Sequence, residues 1–462
     1  MNNDTAQSAS QPSLPTSLPP FTGLFSTHEA LRNQVANDFG RAVHRLPLAV
    51  LQPKTADDVV QVVQLARQQG LKVAARGLGH SAYGQSQVAG GIVVDMATLN
   101  TIGDVHSDHV EVEAGVRLDD LLRATQAHGL TPPILTDYLG LSLGGVLTVG
   151  GVGAGSHRHG ALVDHVLELQ VVTGEGKLET CSPTQQPELF ASVLAGLGQY
   201  SVIVRATMEL MAAKANARVF RVFYPTLAAM VEDEVQLSQR GDERFDEVLG
   251  SIAVTPQDAW GYMLELAVFY TPPTDQPDNA HLLHGLNFLP GLEQIEEMTY
   301  SAYRHRVDAV VQAFTALGVW GHPHSWFDVL LPTPVVVDYV SEVLAQLSPA
   351  ESKFDALFLN PFNASHLHMP LLRLPQTETF FGFDMLHTIA PHPEAIAQVV
   401  ASNRLLFERS RALGGTYYPI GMVEMSQQDW QTQYGPLWEQ VVQMKQHFDP
   451  DHLLSPGQGI FP

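Results

Sequence analysis

The residues Gly77-Leu78-Gly79-His80-Ser81 set one histidine directly after a glycine, at the end of the small apolar run Val73-Ala74-Ala75. Successive backbone N–H groups in such a loop stand free of side chains, which suits an anionic phosphate. A second glycine cluster, Gly144-Gly145 through Gly150-Gly151 to Gly153 and Gly155, permits an equally close backbone approach. Neither matches the G-x-G-x-x-G fingerprint, since Ala82 holds the sixth position of the first, and that loop lacks the Lys-Ser/Thr ending of a P-loop. Two cradles of this kind favour a dinucleotide fold other than the Rossmann one. His80 itself has two readings, a hydrogen-bonded imidazole in a tight turn or a nucleophile. An imidazole held beside a flavin can attach to the methyl group of its dimethylbenzene ring, the protein supplying position and electrostatics.

Other residues could do chemistry as well. Asp137 lies between Thr136 and Tyr138 after a Pro-Pro pair, which is turn chemistry; beside a redox cofactor the same carboxylate is a general base. Trp326 either packs a core or covers a planar ligand. The pairs His157-x-His159, His322-x-His324 and His366-x-His368 would share a face on strands, but with 20 histidines in the chain such spacings arise by chance, and no metal is expected. Cys181 is the single cysteine, so neither an intrachain disulfide nor a multi-cysteine zinc or iron–sulfur site can form within one chain.

The elements that must position these groups come from patterning. A chain of 462 residues is too long for one compact core and divides into two or three domains. With 45% hydrophobic and 16% charged residues it has ample material for a packed interior. The formal charge of -23, without a dense Lys/Arg run, opposes nucleic acid and anionic lipid as partners. The first twenty residues lack a basic n-region and an apolar h-region, and no later stretch offers about 18 continuous apolar residues, so a soluble, unexported, cytoplasmic protein is expected. Residues 1–25, rich in Ser, Pro, Gln and Asn at their start, read as a flexible tail. Thr55 with Asp58 forms a capping box for a helix that Gly70 closes, and a strand follows over 73–76. Strands over 91–95 and 109–113, a helix over 118–128, a hairpin turning at 173–176, a helix over 187–197 and a strand over 200–208 complete a first unit.

The segment VAARGLGHSAYGQSQVAGGIVVDMATLN resembles the flavin-attachment region of cytokinin dehydrogenases, in the vanillyl-alcohol-oxidase-like superfamily with PCMH-type FAD-binding domains. TDYLGLSLGGVLTVGGVGAGSHRHG is similar to that family's Asp-Tyr-Leu and Gly-Gly segment, His322-Pro323-His324-Ser325-Trp326 to its Pro-His-Pro-Trp segment, and FDPDHLLSPGQGIF to its terminal flavin-contacting coil. The resemblance covers about 48–461 and is weakest over 216–300. It implies an α+β, two-domain fold: an FAD-binding domain of two α/β subdomains over 26–215, a substrate domain with a sheet covered by helices over 216–424, and a return to the FAD-binding domain over 425–462.

Carried over position by position, the resemblance implies FAD held covalently through His80, with contacts from Gly77, Leu78, Gly79, Ser81, Gln85, Ser142, Thr148, Val152, Ile203, Ser455 and Gln458. No cysteine stands in the second glycine segment, so attachment at a single residue is expected. Asp137 occupies the family's base position and Trp326 that of a tryptophan lying against a planar substrate. The implied reaction is oxidation of a C–N bond in N6-substituted adenines, giving adenine and an aldehyde, with oxygen or a quinone as electron acceptor. Three departures stand out. The family glutamate that pairs with the aspartate falls at Leu249, two residues from Glu247; Asp328 replaces a common asparagine; and Ile420-Gly421 replace a tyrosine and a leucine, for which Tyr417 or Tyr418 compensates. A carboxylate at 328 favours a cationic or hydroxyl-rich substrate, which keeps a related amine, alcohol or sugar oxidase as the alternative. A catalytically silent flavin-binding ligand sensor is the alternative of another class.

Overall fold

The computed structural model describes residues 14–239, 241–349, 352 and 355–461. The first 13 residues of the expected tail lie outside them. The tail reading does not hold for the rest of its span. Thr22 and Gly23 donate backbone N–H groups to Asp58 at 2.7 and 3.0 Å, and strand β1 (Leu24–Ser26) pairs antiparallel with β2 (Ala49–Gln52). Asp58 does this while closing the expected capping box with Thr55 on the helix Ala56–Gln69, which Gly70 ends in a left-handed conformation. One buried carboxylate thus ties the N-terminal segment to the helix Ala56–Gln69.

β3 (Val73–Arg76) and β4 (Ile92–Asp95) join β1 and β2 in a four-stranded sheet of order β1-β2-β4-β3. Next come β5 (Ile102–Val105), β6 (His109–Glu113) and the two-residue β7 (Leu130–Thr131), then the hairpin β8 (Val166–Thr173) and β9 (Leu178–Cys181), β10 (Ser201–Glu209) and β11 (Met211–Ala212). Five of these form an antiparallel sheet of order β5-β6-β10-β8-β9, and β7 pairs with β11. The helix expected over 187–197 stops at Val193. Ala195 and Leu197 turn to positive φ, and their N–H groups reach back to the carbonyls of Leu147 and Thr148, at the C-terminal end of the short helix in the second glycine segment.

The remaining strands are β12 (Asn216–Tyr224), β13 (Glu247–Val254), β14 (Trp260–Tyr270), β15 (Gln294–Thr299), β16 (His324–Pro332), β17 (Ala356–Asn363), β18 (Thr379–Thr388) and β19 (Thr416–Tyr417). They build an eight-stranded antiparallel sheet of order β15-β12-β14-β13-β17-β18-β16-β19. The protein is therefore a mixed helix-and-sheet, two-domain chain. Strand alternation gives the large sheet two unlike faces. Val222, Leu266, Ile252, Leu359, Phe383 and Phe327 are buried on one, beneath the helices Leu227–Leu237 and Thr333–Gln346. The register places Arg221, Glu265, Ser251, Asp384, Asp328 and Trp326 on the other. The polar face is the one that meets the first unit, where Arg306 joins Glu265 to Asp137. After the sheet the chain returns to the first unit, where Leu454 bridges Val73 and Ser455 donates to the Val73 carbonyl at 2.9 Å, on the open edge of β3.

One buried group on the helical side has a measurable cost. Glu234, in the helix Leu227–Leu237, is fully buried, and neither carboxylate oxygen has a hydrogen-bond partner; Gly250 beneath it leaves the space that the carboxyl fills. Burial raises its pKa well above the usual carboxylate range. A raised acid contributes full stability below its unfolded value, and that stability is lost as pH rises through the folded value. Glu234→Gln is expected to raise stability at pH 8 by about 1–3 kcal/mol and to do little at pH 4. Urea unfolding at both pH values checks this; equal shifts at the two would refute it.

Among the described residues no helix is long and apolar enough to cross a membrane, and no group of three or more His, Cys, Asp or Glu side chains is gathered to hold a metal ion. His157 and His159 lie on a short helix, Ser156–His159, and not on a strand, so their spacing gives them no common face.

Candidate active site

β3 delivers the chain into the first glycine loop, and two features there require glycine. Gly79 has φ +68°, and a Cβ on Gly77 would lie 2.0 Å from the Ser142 hydroxyl. The two glycine segments that the sequence separates by more than 60 residues are therefore in contact, with Ser142 at the N-terminal boundary of the helix Leu143–Leu147. The Arg76 guanidinium folds over Gly79 and donates to the Asn37 carbonyl at 3.1 Å. A cation beside free backbone suits a pyrophosphate. The loop opens on a cavity of about 410 Å³ lined by Asn37, Arg41, Arg76, Leu78, Gly79 and His80 among others.

The other residues expected at the flavin are distributed around this loop. The Ser81 hydroxyl lies 3.2 Å from both Asp38 and Ser86. Gln85 accepts from Tyr83 N–H at 2.7 Å and donates to the Gly421 carbonyl at 3.1 Å, tying the loop to the C-terminal region. Gly457, beside Gln458, packs directly on the Gly84 and Gln85 carbonyls, and Ser455 lies against Gly198. Thr148 donates to Gly145 O at 2.7 Å, and Val152 follows Gly151, whose N–H meets the Tyr418 hydroxyl at 3.2 Å. Ile203 is buried in β10. Ser142, Thr148, Val152, Ile203, Ser455 and Gln458 do not line the cavity at His80.

His80 stands in an aromatic cluster. Phe39 stacks on it at 4.1 Å and on His324 at 4.1 Å; Tyr138 lies 5.0 Å from the imidazole and Trp326 edge-on at 5.4 Å. Phe39 fills the slot between His80 and His324. Both His80 nitrogens are buried without a hydrogen-bond partner, and burial, with a smaller contribution from His324, pushes the pKa down to about 4. The ring is thus a neutral imidazole with a free lone pair, which is what attachment to a flavin methyl group needs. The orphaned nitrogens, the two touching glycine segments and the cavity that opens beside them together fit FAD. Its dimethylbenzene end would be held at His80 and its pyrophosphate near Gly77 to Gly79.

Asp137, next to Tyr138, meets the domain of the eight-stranded sheet. Arg306 donates to its Oδ1 at 2.5 Å and to Glu265 Oε1 at 2.9 Å, and Arg221 donates to Glu265 Oε2 at 3.0 Å. Glu247, two residues from the position of the family glutamate, reaches Asp137 only through Arg306, which lies 3.8 Å from Glu247 Oε2. Glu247 is 2% exposed and commits both oxygens to Tyr303, at 2.8 Å, and to Arg304, because its strand position points it at the helix Tyr300–Arg304. Glu265 stands directly across from Leu249 in the β13–β14 register, so a carboxylate reaches this region from the neighbouring strand. Asp328 is 1% exposed and lies opposite Asp384 in the β16–β18 register, with no basic partner among the described residues. Tyr417 donates to the Gly421 carbonyl at 2.8 Å, so both expected compensating tyrosines lie at this end of the site.

Sequence reading missed Phe39, Arg306, Glu265 and Asp384. Only the alternation FFGFDML in β18 marks Asp384, as a polar residue in an apolar run.

The chain is similar to known proteins in both halves. Residues 47–182 match the family model described as FAD binding domain, and residues 255–461 match the one described as cytokinin dehydrogenase 1, FAD and cytokinin binding. An uncharacterized oxidoreductase, ORF5 in the fasciation locus of Rhodococcoides fascians, is 36% identical over 94% of this chain and 98% of its own length. Cytokinin dehydrogenase 9 of Oryza sativa subsp. japonica is 31% identical over 97% and 92%, and cytokinin dehydrogenase 2 of Arabidopsis thaliana 30% over 94% and 93%.

Proposed function

Because the chain belongs to the cytokinin dehydrogenase family of FAD-dependent oxidoreductases, we propose that it oxidises the C–N bond of an N6-substituted adenine. FAD, when bound, supplies the hydride acceptor at its N5, and oxygen or a quinone takes the electrons on. Asp137 removes the proton from the substrate nitrogen as the hydride leaves the adjacent carbon, which leaves a C=N bond. Water then adds to the imine, and the C–N bond breaks to give an aldehyde and adenine. Trp326 covers the planar substrate, and His80 holds the flavin covalently.

The observation that carries this reading is the meeting of three groups from distant segments: His80 with both nitrogens free, Trp326 edge-on to it, and the Tyr138 that neighbours Asp137. Anaerobic mixing of the yellow holoenzyme with an N6-alkenyl adenine should bleach the flavin and release adenine. Bleaching by amines, alcohols or sugars and by no adenine would replace this substrate class with the alternative one. Bleaching by none of them would mark a ligand-binding flavoprotein.

A further inference from the structure

Two departures from the family pattern, Asp328 and Gly421, meet in space. A Cβ on Gly421 would lie 3.0 Å from Asp328 Oδ2, so the glycine leaves that buried oxygen with no side chain of residue 421 against it. Asp328 faces Asp384 across the β16–β18 ladder, an arrangement that would repel if both were ionised. Burial raises both, and they hydrogen-bond to each other, so the pair keeps one proton between two carboxyls.

The pair is not internally satisfied. Asp328 Oδ2 is buried and has no partner. Asn360, 8% exposed on β17, donates Nδ2 to Asp384 Oδ2 at 3.4 Å, and its Oδ1 is also buried and unpartnered. Exchanging the oxygen and nitrogen of that amide would still leave one of its atoms orphaned. Of the nearby phenols, Tyr417 donates to the Gly421 carbonyl and Tyr418 accepts from Gly151 N–H, and neither is a hydrogen-bond partner of Asp328 Oδ2 or Asn360 Oδ1. An orphaned buried acceptor is destabilising unless a donor completes it. Asp328 is two residues from Trp326 on the same strand face, roughly 7 Å along the sheet. A flat group on Trp326 carries its substituent within that reach.

We propose that Asp328, Asp384 and Asn360 form a subsite for a hydrogen-bond donor on the substrate's side chain, a hydroxyl or an amine. This rests on the reading of N6-substituted adenines given above. The subsite selects, within that class, substituents that end in a donor over those that end in a methyl group. A neutral hydroxyl completes it by donating to an orphaned acceptor and accepting from the shared proton; an ammonium completes it by donation alone.

The test uses holoenzyme and two N6-substituted adenines with the same carbon skeleton, one ending in a hydroxyl and one in a methyl group. Anaerobic stopped-flow flavin reduction gives kcat/KM for each. The wild type should favour the hydroxyl form by about tenfold or more. Asp328→Asn and Asp384→Asn should each bring the ratio close to one, mainly through a higher KM for the hydroxyl form. A wild type that prefers the methyl form overturns the subsite, as does a ratio unchanged in both variants. A variant that does not fold leaves the other variant and the wild-type ratio to decide. If neither adenine bleaches the flavin, the substrate reading falls by itself, and the same comparison within the amine or alcohol series that does react judges the subsite.

Discussion

Asp137→Asn should slow anaerobic flavin reduction by about 10²–10⁴-fold while leaving the flavin bound and the protein yellow. The expectation follows from where the carboxylate lies. Arg306 engages Oδ1 alone, which fixes the group and leaves Oδ2 to accept the proton from the substrate nitrogen. Asparagine keeps the shape and the contact site at Oδ1 but cannot take a proton. Arg306 retains Glu265 at 2.9 Å and Glu247 at 3.8 Å, so removing one charge does not strand a buried cation. FAD content should hold because Asp137 is not part of the glycine loop at Gly77 to Gly79. The measurement is single-turnover stopped flow at saturating substrate, with flavin content checked from the visible spectrum. An unchanged limiting rate would remove Asp137 as the base. A loss of flavin would instead assign it a role in cofactor binding.

The role of Arg306 shows what sequence conceals. Asp137 and Trp326 stand out by motif because a short segment carries each. The partners that give them a geometry come from register. Glu265 reaches the site only because β13 and β14 pair Leu249 with it, and Asp384 faces Asp328 only because β16 and β18 align residues 56 positions apart in the chain. Local rules performed well where local energies decide. The Thr55 and Asp58 box and the Gly70 terminus appear as read, since both are fixed within one helix turn. Those rules failed at the helix after Pro187, where the carbonyls of Leu147 and Thr148 draw the backbone out of helical form. Phe39 carried no motif at all. Its place between His80 and His324 is set by the Phe39 and Gly40 N–H groups, which bond to the carbonyls of Gly79 and Ser81 in the glycine loop itself.

His80→Ala should abolish covalent flavin altogether: acid-precipitated protein should be colourless, and a peptide containing position 80 should carry no cofactor mass. The imidazole has no competing structural duty, since neither nitrogen makes a hydrogen bond, and alanine therefore removes a packing contact with Phe39 and no polar partner. The variant should fold and bind FAD reversibly through the glycine loop. The pH dependence of attachment supplies a second, independent arm. An imidazole with its pKa near 4 is neutral across the working range, so attachment of added FAD to apoprotein should proceed at a steady rate from pH 8 down to about 5.5. It should fall only as pH approaches 4, where protonation removes the lone pair. An unperturbed histidine would lose half its rate near pH 6.5. A midpoint there would mean that His80 is solvated when it reacts, and that the buried slot forms only after attachment. Covalent flavin surviving in the alanine variant would place the tether on another residue.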